Sequence, residues 1–320
     1  MSVNVLHHGL CFDGAASAAL FTAFYRRTRG DRIYRYIPKD HRPGDPYDAE
    51  DFEADVVVGL DFRYSQNPRM SWFFDHHRSA FQLPGDREHF TADASGQKFH
   101  DASARSCAGY FAAIVRKCFG CDLSEHAELI RWAELIDSAS FPTPEMPVGL
   151  REPALQLMAF VEGNTDPALV EPFILDLLTR PMSIHVQADY IQGALRPRLA
   201  QHREDIALLK ERCVVDEGIL AFSLADQPGR ATNKFIPYFH HPKVRYVVGV
   251  TRAKGGRLKI TVGYNPWLPK DQREFDLAAL LEPFGGGGHP YVAGCSFGAD
   301  QEEEAARAQA TIIRRLQGGP

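Results

Sequence analysis

Trp72-Phe73-Phe74-Asp75-His76-His77 is an apolar, aromatic run that stops at a carboxylate followed by two imidazoles. A short, aromatic-rich run of this kind reads as a buried strand over 70–74. In an open α/β sheet, chemistry gathers just beyond the carboxyl ends of the strands, which is where Asp75, His76 and His77 would stand. Working outward, Asp55-Val-Val-Val-Gly-Leu-Asp61 is a second such run, continuous enough for a strand buried on both faces of a parallel sheet, and it too ends in a carboxylate. A third short strand over 3–6 delivers His7 and His8, then the turn-like Gly9-Leu-Cys11-Phe-Asp13-Gly14 and an Ala-rich helix over 15–25. Three strands therefore present His7, Asp61 and Asp75-His76-His77 along one sheet edge. Asp137 joins them as a carboxylate at the end of an apolar helix over 124–136, where the helix dipole disfavours negative charge and a nearby cation would offset it.

The remaining chain is less specific. Residues 78–100 read as polar loop, and 152–212 as mostly helical with breaks near Gly163 and at Pro181. A second α/β unit follows, with strands over 219–224, 244–251 and 258–262 and a helix over 275–281. It continues into Gly285-Gly-Gly-Gly-His289, a closing strand over 292–297 and a terminal helix over 302–316. The fold class expected is α/β with two domains: a parallel-sheet domain over 1–183, a helical linker over 184–215 and a smaller α/β domain over 216–320.

Composition narrows the function. The 320 residues are 44% hydrophobic and 24% charged, as in ordinary globular proteins. No apolar run reaches the ~18 residues of a membrane span, and the N-terminus lacks a signal-peptide pattern, so a cytoplasmic location without membrane partners is expected. The six scattered cysteines suit reduced thiols. A net charge of −5 argues against a general binder of long nucleic acid. Yet Lys243, Arg245, Arg252, Lys254, Arg257, Lys259, Lys270 and Arg273 share one stretch with Asp271 as its lone acid. It reads equally as a solvated face or as a docking surface for a small anionic substrate.

His7, Asp13, Asp61, His76 and Asp137 form an imidazole-plus-carboxylate set, better suited to Mn²⁺, Fe²⁺ or Zn²⁺ than to Ca²⁺. Two such ions sharing a carboxylate can activate water and clamp a phosphoryl group. The glycines of 285–288 let backbone N–H groups approach phosphate oxygens.

These motifs, in this order, resemble the DHH–DHHA1 phosphoesterase superfamily, which includes oligoribonucleases, cyclic-dinucleotide phosphodiesterases, nucleotide 3′-phosphatases and RecJ-type exonucleases. His7 to Asp13-Gly14, Asp61, Asp75-His76-His77 and Asp137 resemble four motifs of the first domain, and Gly285 to Gly294 the signature of the second. The resemblance implies two divalent metal ions, Mn²⁺ first among Mn²⁺, Fe²⁺, Co²⁺ and Zn²⁺. Asp61 would bridge them, with His7 on the first and Asp13, His76 and Asp137 on the second. His77 would lie against the scissile phosphate. Gly286, Gly287, Gly288 and His289 would hold the far end of the substrate, with Arg252 as the substrate-binding arginine. Cys11 stands where the family has an aspartate, either as a softer ligand of the first metal or as a bystander; His8 is a minor alternative ligand. The activity implied is hydrolysis of phosphodiester bonds in short nucleotides, with dinucleotides as partners and a homodimer compatible with the sequence. Rival readings are a nucleotide 3′-phosphatase or polyphosphatase on the same site, or a nucleotide-binding regulator that has lost hydrolysis through Cys11.

Overall fold

The computed structural model describes residues 1–40, 42 and 44–319, and His289 by its backbone alone. The chain falls into two compact units, one of residues 1–140 and 151–198, the other of residues 141–150 and 199–320.

In the first unit β1 (Ser2–His8) leads into α1 (Phe12–Arg29), then β2 (Ile33–Lys39), β3 (Val56–Leu60) and β4 (Met70–Asp75). After them come α2 (Asp86–Ala92), β5 (Lys98–His100), α3 (Cys107–Phe119) and α4 (Ala127–Asp137). The five strands form one parallel sheet in the order β2-β1-β3-β4-β5. The strand order reverses between β1 and β3, the switch point at which open α/β sheets place their ligands. Every residue of α1 from Phe12 to Tyr25 is buried, as befits a helix apolar all round. β4 is buried on both faces. Trp72 and Phe74 meet Phe24, Phe111 and Phe119 on one side, while Phe73 meets Tyr64 and Phe90 on the other.

The stretch 78–100 is not the plain loop expected. It contains α2 and β5, whose sequences Asp-Arg-Glu-His-Phe-Thr-Ala and Lys-Phe-His carry too few apolar residues to signal either element. They form because β4 needs a cover for Phe73, supplied by Phe81 and Phe90, and a backbone partner, supplied by β5.

The helices α6 (Pro153–Val161), α7 (Val170–Thr179) and α8 (Met182–His185) follow α5 (Glu145–Gly149), which belongs to the second unit; α9 (Asp189–Arg212) runs on through the unit boundary. Fully buried His185 contacts the Tyr190 hydroxyl at 2.8 Å, and that hydroxyl donates to Asp176 at 2.9 Å. Burial lowers the His185 pKa to about 4. The unfolded chain, near 6.5, therefore binds the proton first, so this contribution is whole above pH 6.5 and fades as pH falls toward 4. Its size is on the order of 3 kcal/mol. His185→Gln should flatten the loss of melting temperature between pH 7 and 4.5; an unchanged slope would remove His185 from the acid sensitivity.

In the second unit β6 (Val214–Asp216), β7 (Ile219–Leu224), α10 (Ile236–His240), β8 (Tyr246–Arg252) and β9 (Leu258–Tyr264) precede α11 (Leu277–Leu281). The unit ends with β10 (Gly287–His289), β11 (Val292–Phe297) and α12 (Glu302–Gln317). The sheet runs β10-β11-β9-β8-β7-β6, antiparallel apart from β7–β8. One face packs Val248, Val250, Ile260, Val262 and Cys295 onto α11 and α12. Among the described residues no helix is long and apolar enough to cross a membrane.

Candidate metal centre

Asp61 follows β3 and is fully buried, with φ of 56°, a left-handed backbone that aspartate tolerates better than most residues. Its amide donates to the Phe74 carbonyl at 2.9 Å, which ties the turn to β4. The side chain thereby enters a ring of groups from four elements. His8 Nδ1 lies 3.5 Å from Asp61 Oδ2, Cys11 Sγ donates to the same oxygen at 3.5 Å, and His76 Nε2 is 3.4 Å from Oδ1. His76 Nε2 is also 3.8 Å from Asp13 and 3.3 Å from Asp137.

Three sets of ligand atoms each lie within 4.8 Å of one another: His8–Cys11–Asp61, Asp61–His76–His77 and Asp13–His76–Asp137. His76 Nδ1 faces the Ala104 carbonyl at 3.1 Å, leaving Nε2 directed at the carboxylates. Buried Asp61 Oδ1 and His76 Nε2 have no hydrogen-bond partner. An imidazole lone pair aimed at three carboxylates is repulsive unless positive charge lies between them. Against its burial, His76 is pushed up to about 10 by its contact with Asp61 and the charges of Asp137 and Asp13. Asp13 is raised by burial and by the charges of Asp61 and Asp137. Burial, then Asp61, Asp137 and Asp13, lifts the Cys11 thiol well above its usual range. The oxygen, nitrogen and sulfur donors fit borderline divalent cations.

Further contacts hold these side chains in place. Asp13, in the first turn of α1, accepts from the amides of Cys107 (2.6 Å) and Ala108 (3.0 Å), so it also holds the N-terminus of α3. Buried Asp75 accepts from His77 Nδ1 at 2.7 Å. His77, despite burial, is pushed up to about 9 by Asp75 and by the charge of Asp61. Gly14 lets α1 start against β1, because a Cβ there would sit 2.3 Å from the His8 carbonyl oxygen. Gly14→Ala should cost about 1–3 kcal/mol by overpacking and weaken metal binding, read by denaturant melts and by titration with Mn²⁺; a neutral effect would mean that β1 and α1 can part freely.

The structure brings together Cys11, Asp13, Asp61, His76, His77 and Asp137. None of the three sets of ligand atoms includes His7, whose buried Nε2 also has no hydrogen-bond partner. Strand alternation turns His8 toward Asp61, whereas His7 lies on the other face of β1, its Nδ1 against the His8 carbonyl at 3.0 Å. There it lines a cavity of about 220 Å³ with Phe160 and Phe173, and burial lowers its pKa to about 4. The histidine of β1 that lies in the cluster with Cys11 and Asp61 is thus His8. The period of two in the strand separates the two histidines, but which of them faces inward depends on where the strand ends. Sequence reasoning also missed the clamp of Asp13 on α3 and the hold of Asp75 on His77.

In the second unit, Gly287 and Gly288 belong to edge strand β10, paired with Gly294 and Ala293, and Gly286 precedes it. The His289 side chain lies outside the described residues. Arg252 differs from expectation. It shares the α12 face with Val250, and its guanidinium donates to the carbonyls of Ala225 (2.7 Å) and Gly256 (3.3 Å) and to Glu302 (2.5 Å). Both its face and its donors are committed to packing this unit.

No family model matches the sequence, and no curated protein matches it either. Solved structures do resemble it. A pGpG-specific phosphodiesterase, PggH from Vibrio cholerae, aligns with TM-score 0.64 at 16% identity, over 98% of each chain. An exopolyphosphatase-related protein from Bacteroides fragilis aligns with TM-score 0.55 at 16% identity, over 99% of this chain and 92% of the other. RecJ from Thermus thermophilus in complex with Mn²⁺ aligns with TM-score 0.55 at 15% identity, over 98% of this chain and 52% of RecJ.

Proposed function

We infer, from its DHH–DHHA1 fold and the cluster around Asp61, that this chain is a divalent-metal-dependent phosphoesterase that cleaves the phosphodiester bond of short nucleotides. The observation that carries this reading is the position of Asp61 between two ligand groups at the β1/β3 switch point. His8 and Cys11 would hold one ion, Asp13, His76 and Asp137 the second, and Asp61 both. Bound divalent ions supply Lewis-acid activation of water and neutralise phosphate charge.

The chain's own residues supply the rest. Asp61, His76 and Asp13 fix the charge of the site on rigid elements, so little reorganisation is needed when substrate charge develops. His77, kept protonated by Asp75, offers an N–H donor to a phosphate oxygen or to the leaving oxygen. Cys11 reads as a ligand rather than a lesion, because its sulfur lies in the same cluster as Asp61 and His8. That favours hydrolysis over a regulator without turnover. The pGpG specificity of the similar Vibrio protein supports a dinucleotide as the substrate class.

Release of mononucleotides from pGpG or pApA with Mn²⁺ is the expected result, measured by chromatography beside 3′-phosphoadenosine 5′-phosphate and polyphosphate. Phosphate release from either of the latter alone would replace the diesterase with a phosphatase. No turnover of any substrate with Mn²⁺, Fe²⁺, Co²⁺ or Zn²⁺ would reject the enzyme reading.

A further inference from the structure

The sheet of the second unit has one face covered by α11 and α12; the other face bears a row of small residues from β8 to β10, with Phe222 at its β7 end. Phe222 pairs with Gly249, Gly249 with Thr261, Thr261 with Gly294 and Gly294 with Gly287, so one row crosses five strands. Alternation puts it opposite Val248, Ile260 and Cys295, which face the helices. The Phe222 ring closes one end, since a Cβ on Gly249 would lie 2.4 Å from it. From Thr261 outward to Gly287 the floor is backbone and one hydroxyl.

In the adjoining row Thr251, Lys259 and Ser296 pair across β8, β9 and β11. Lys259 is exposed, and its Cε reaches within 3.3 Å of the position a Cβ on Gly294 would take. Its ammonium therefore stands over the glycine floor, with no ion pair to any described residue. Neither row contains an acid. Arg252, at the end of the same strand pair, points to the helix face and is spent on Glu302 and two carbonyls.

We propose that Lys259, with the hydroxyls of Thr261 and Ser296, binds a terminal phosphate of the nucleotide substrate on this glycine-floored face, in place of Arg252. The proposal rests on the reading of the substrate as a short phosphorylated nucleotide. A compact ammonium beside open backbone suits a phosphate dianion, and at Gly287, where a Cβ would meet nothing within 4 Å, the missing side chain lets phosphate oxygens approach the sheet. Charge complementarity favours this occupant over an apolar partner.

The test is a binding cycle on the full chain by calorimetry, in EDTA so that nothing is cleaved. Wild type and Lys259→Met are each titrated with pGpG and with GpG, which lacks the 5′-phosphate. Wild type should bind pGpG about tenfold more tightly than GpG, the loss of one charge-assisted hydrogen bond. Lys259→Met should erase that difference, and Lys259→Arg should recover part of it. Gly287→Leu, whose added Cβ meets no atom within 4 Å, should weaken pGpG binding comparably with an unchanged melting temperature. Equal losses for pGpG and GpG in Lys259→Met, an unaltered preference, or no pGpG binding by wild type would each overturn the proposal. Binding with the expected cycle but no turnover with Mn²⁺, Fe²⁺, Co²⁺ or Zn²⁺ would leave it standing while rejecting the diesterase, and turnover with a flat cycle would do the reverse.

Discussion

Asp61→Ala should abolish turnover of pGpG, lowering kcat/KM by at least about 10³-fold, because a shared metal ligand is worth several kcal/mol in the transition state. The site offers no substitute. Asp61 is the carboxylate within 3.7 Å of His8, Cys11, His76 and His77 together. Its own pKa is held below the usual carboxylate range: burial opposes ionisation, but His76 and His8 outweigh it. The same variant should lose the thermal response to metal. At Mn²⁺ about a hundredfold above its dissociation constant, wild type gains about 2.7 kcal/mol. That is a rise of about 5–10 °C in melting temperature, and Asp61→Ala should show almost none. A variant that keeps both turnover and the Mn²⁺ response would move the metal centre away from Asp61.

Asp75→Asn should separate orientation from ligation. Asp75 belongs to none of the three ligand sets; it is fully buried and holds His77 through Nδ1 at 2.7 Å. Asparagine keeps the shape and an acceptor oxygen but removes the charge that raises the His77 pKa. Turnover at neutral pH should fall about 10–100-fold, as with other groups that orient a site from behind, while the Mn²⁺ melting shift stays near that of wild type. The sign of the pH effect follows from the same contact. If protonated His77 assists the reaction, activity falls as pH rises through its pKa, near 9 in the chain as folded. Without Asp75 that pKa drops, so the alkaline limb of the kcat profile should move to lower pH. A loss of the Mn²⁺ response in Asp75→Asn would instead make Asp75 a ligand, and an unmoved alkaline limb would release His77 from the proton role.

Much of this molecule follows from local sequence. The runs ending at Asp61 and Asp75, the apolar helix after Gly14 and the β-rich second half are each dictated by residues close together in the chain. Strands buried on both faces must be continuously apolar, and a helix buried all round must be apolar all round. A carboxylate at the end of such a run must then lie at the sheet edge, so Asp61 and Asp75-His76-His77 could be placed there from the sequence, whereas Asp13 and Asp137 sit on helices and join them through the family resemblance. α2 and β5 were not legible, because their residues are polar and their existence depends on covering Phe73 and pairing with β4.

Only the tertiary structure decided which way side chains turn and what they spend their donors on. Adjacent His7 and His8 are chemically identical, and only the structure shows that His8 is the one 3.5 Å from Asp61. Arg252 reads, by the family resemblance, as a substrate-binding arginine, and only the structure shows it donating to Glu302, 50 residues later. The glycines of 286–288 read as a run whose backbone can approach phosphate oxygens, and only the structure shows two of them paired with Gly294 and Ala293 in an edge strand. In each case the deciding partner is remote in sequence, and the choice between two faces of a strand is a matter of packing that no local pattern encodes.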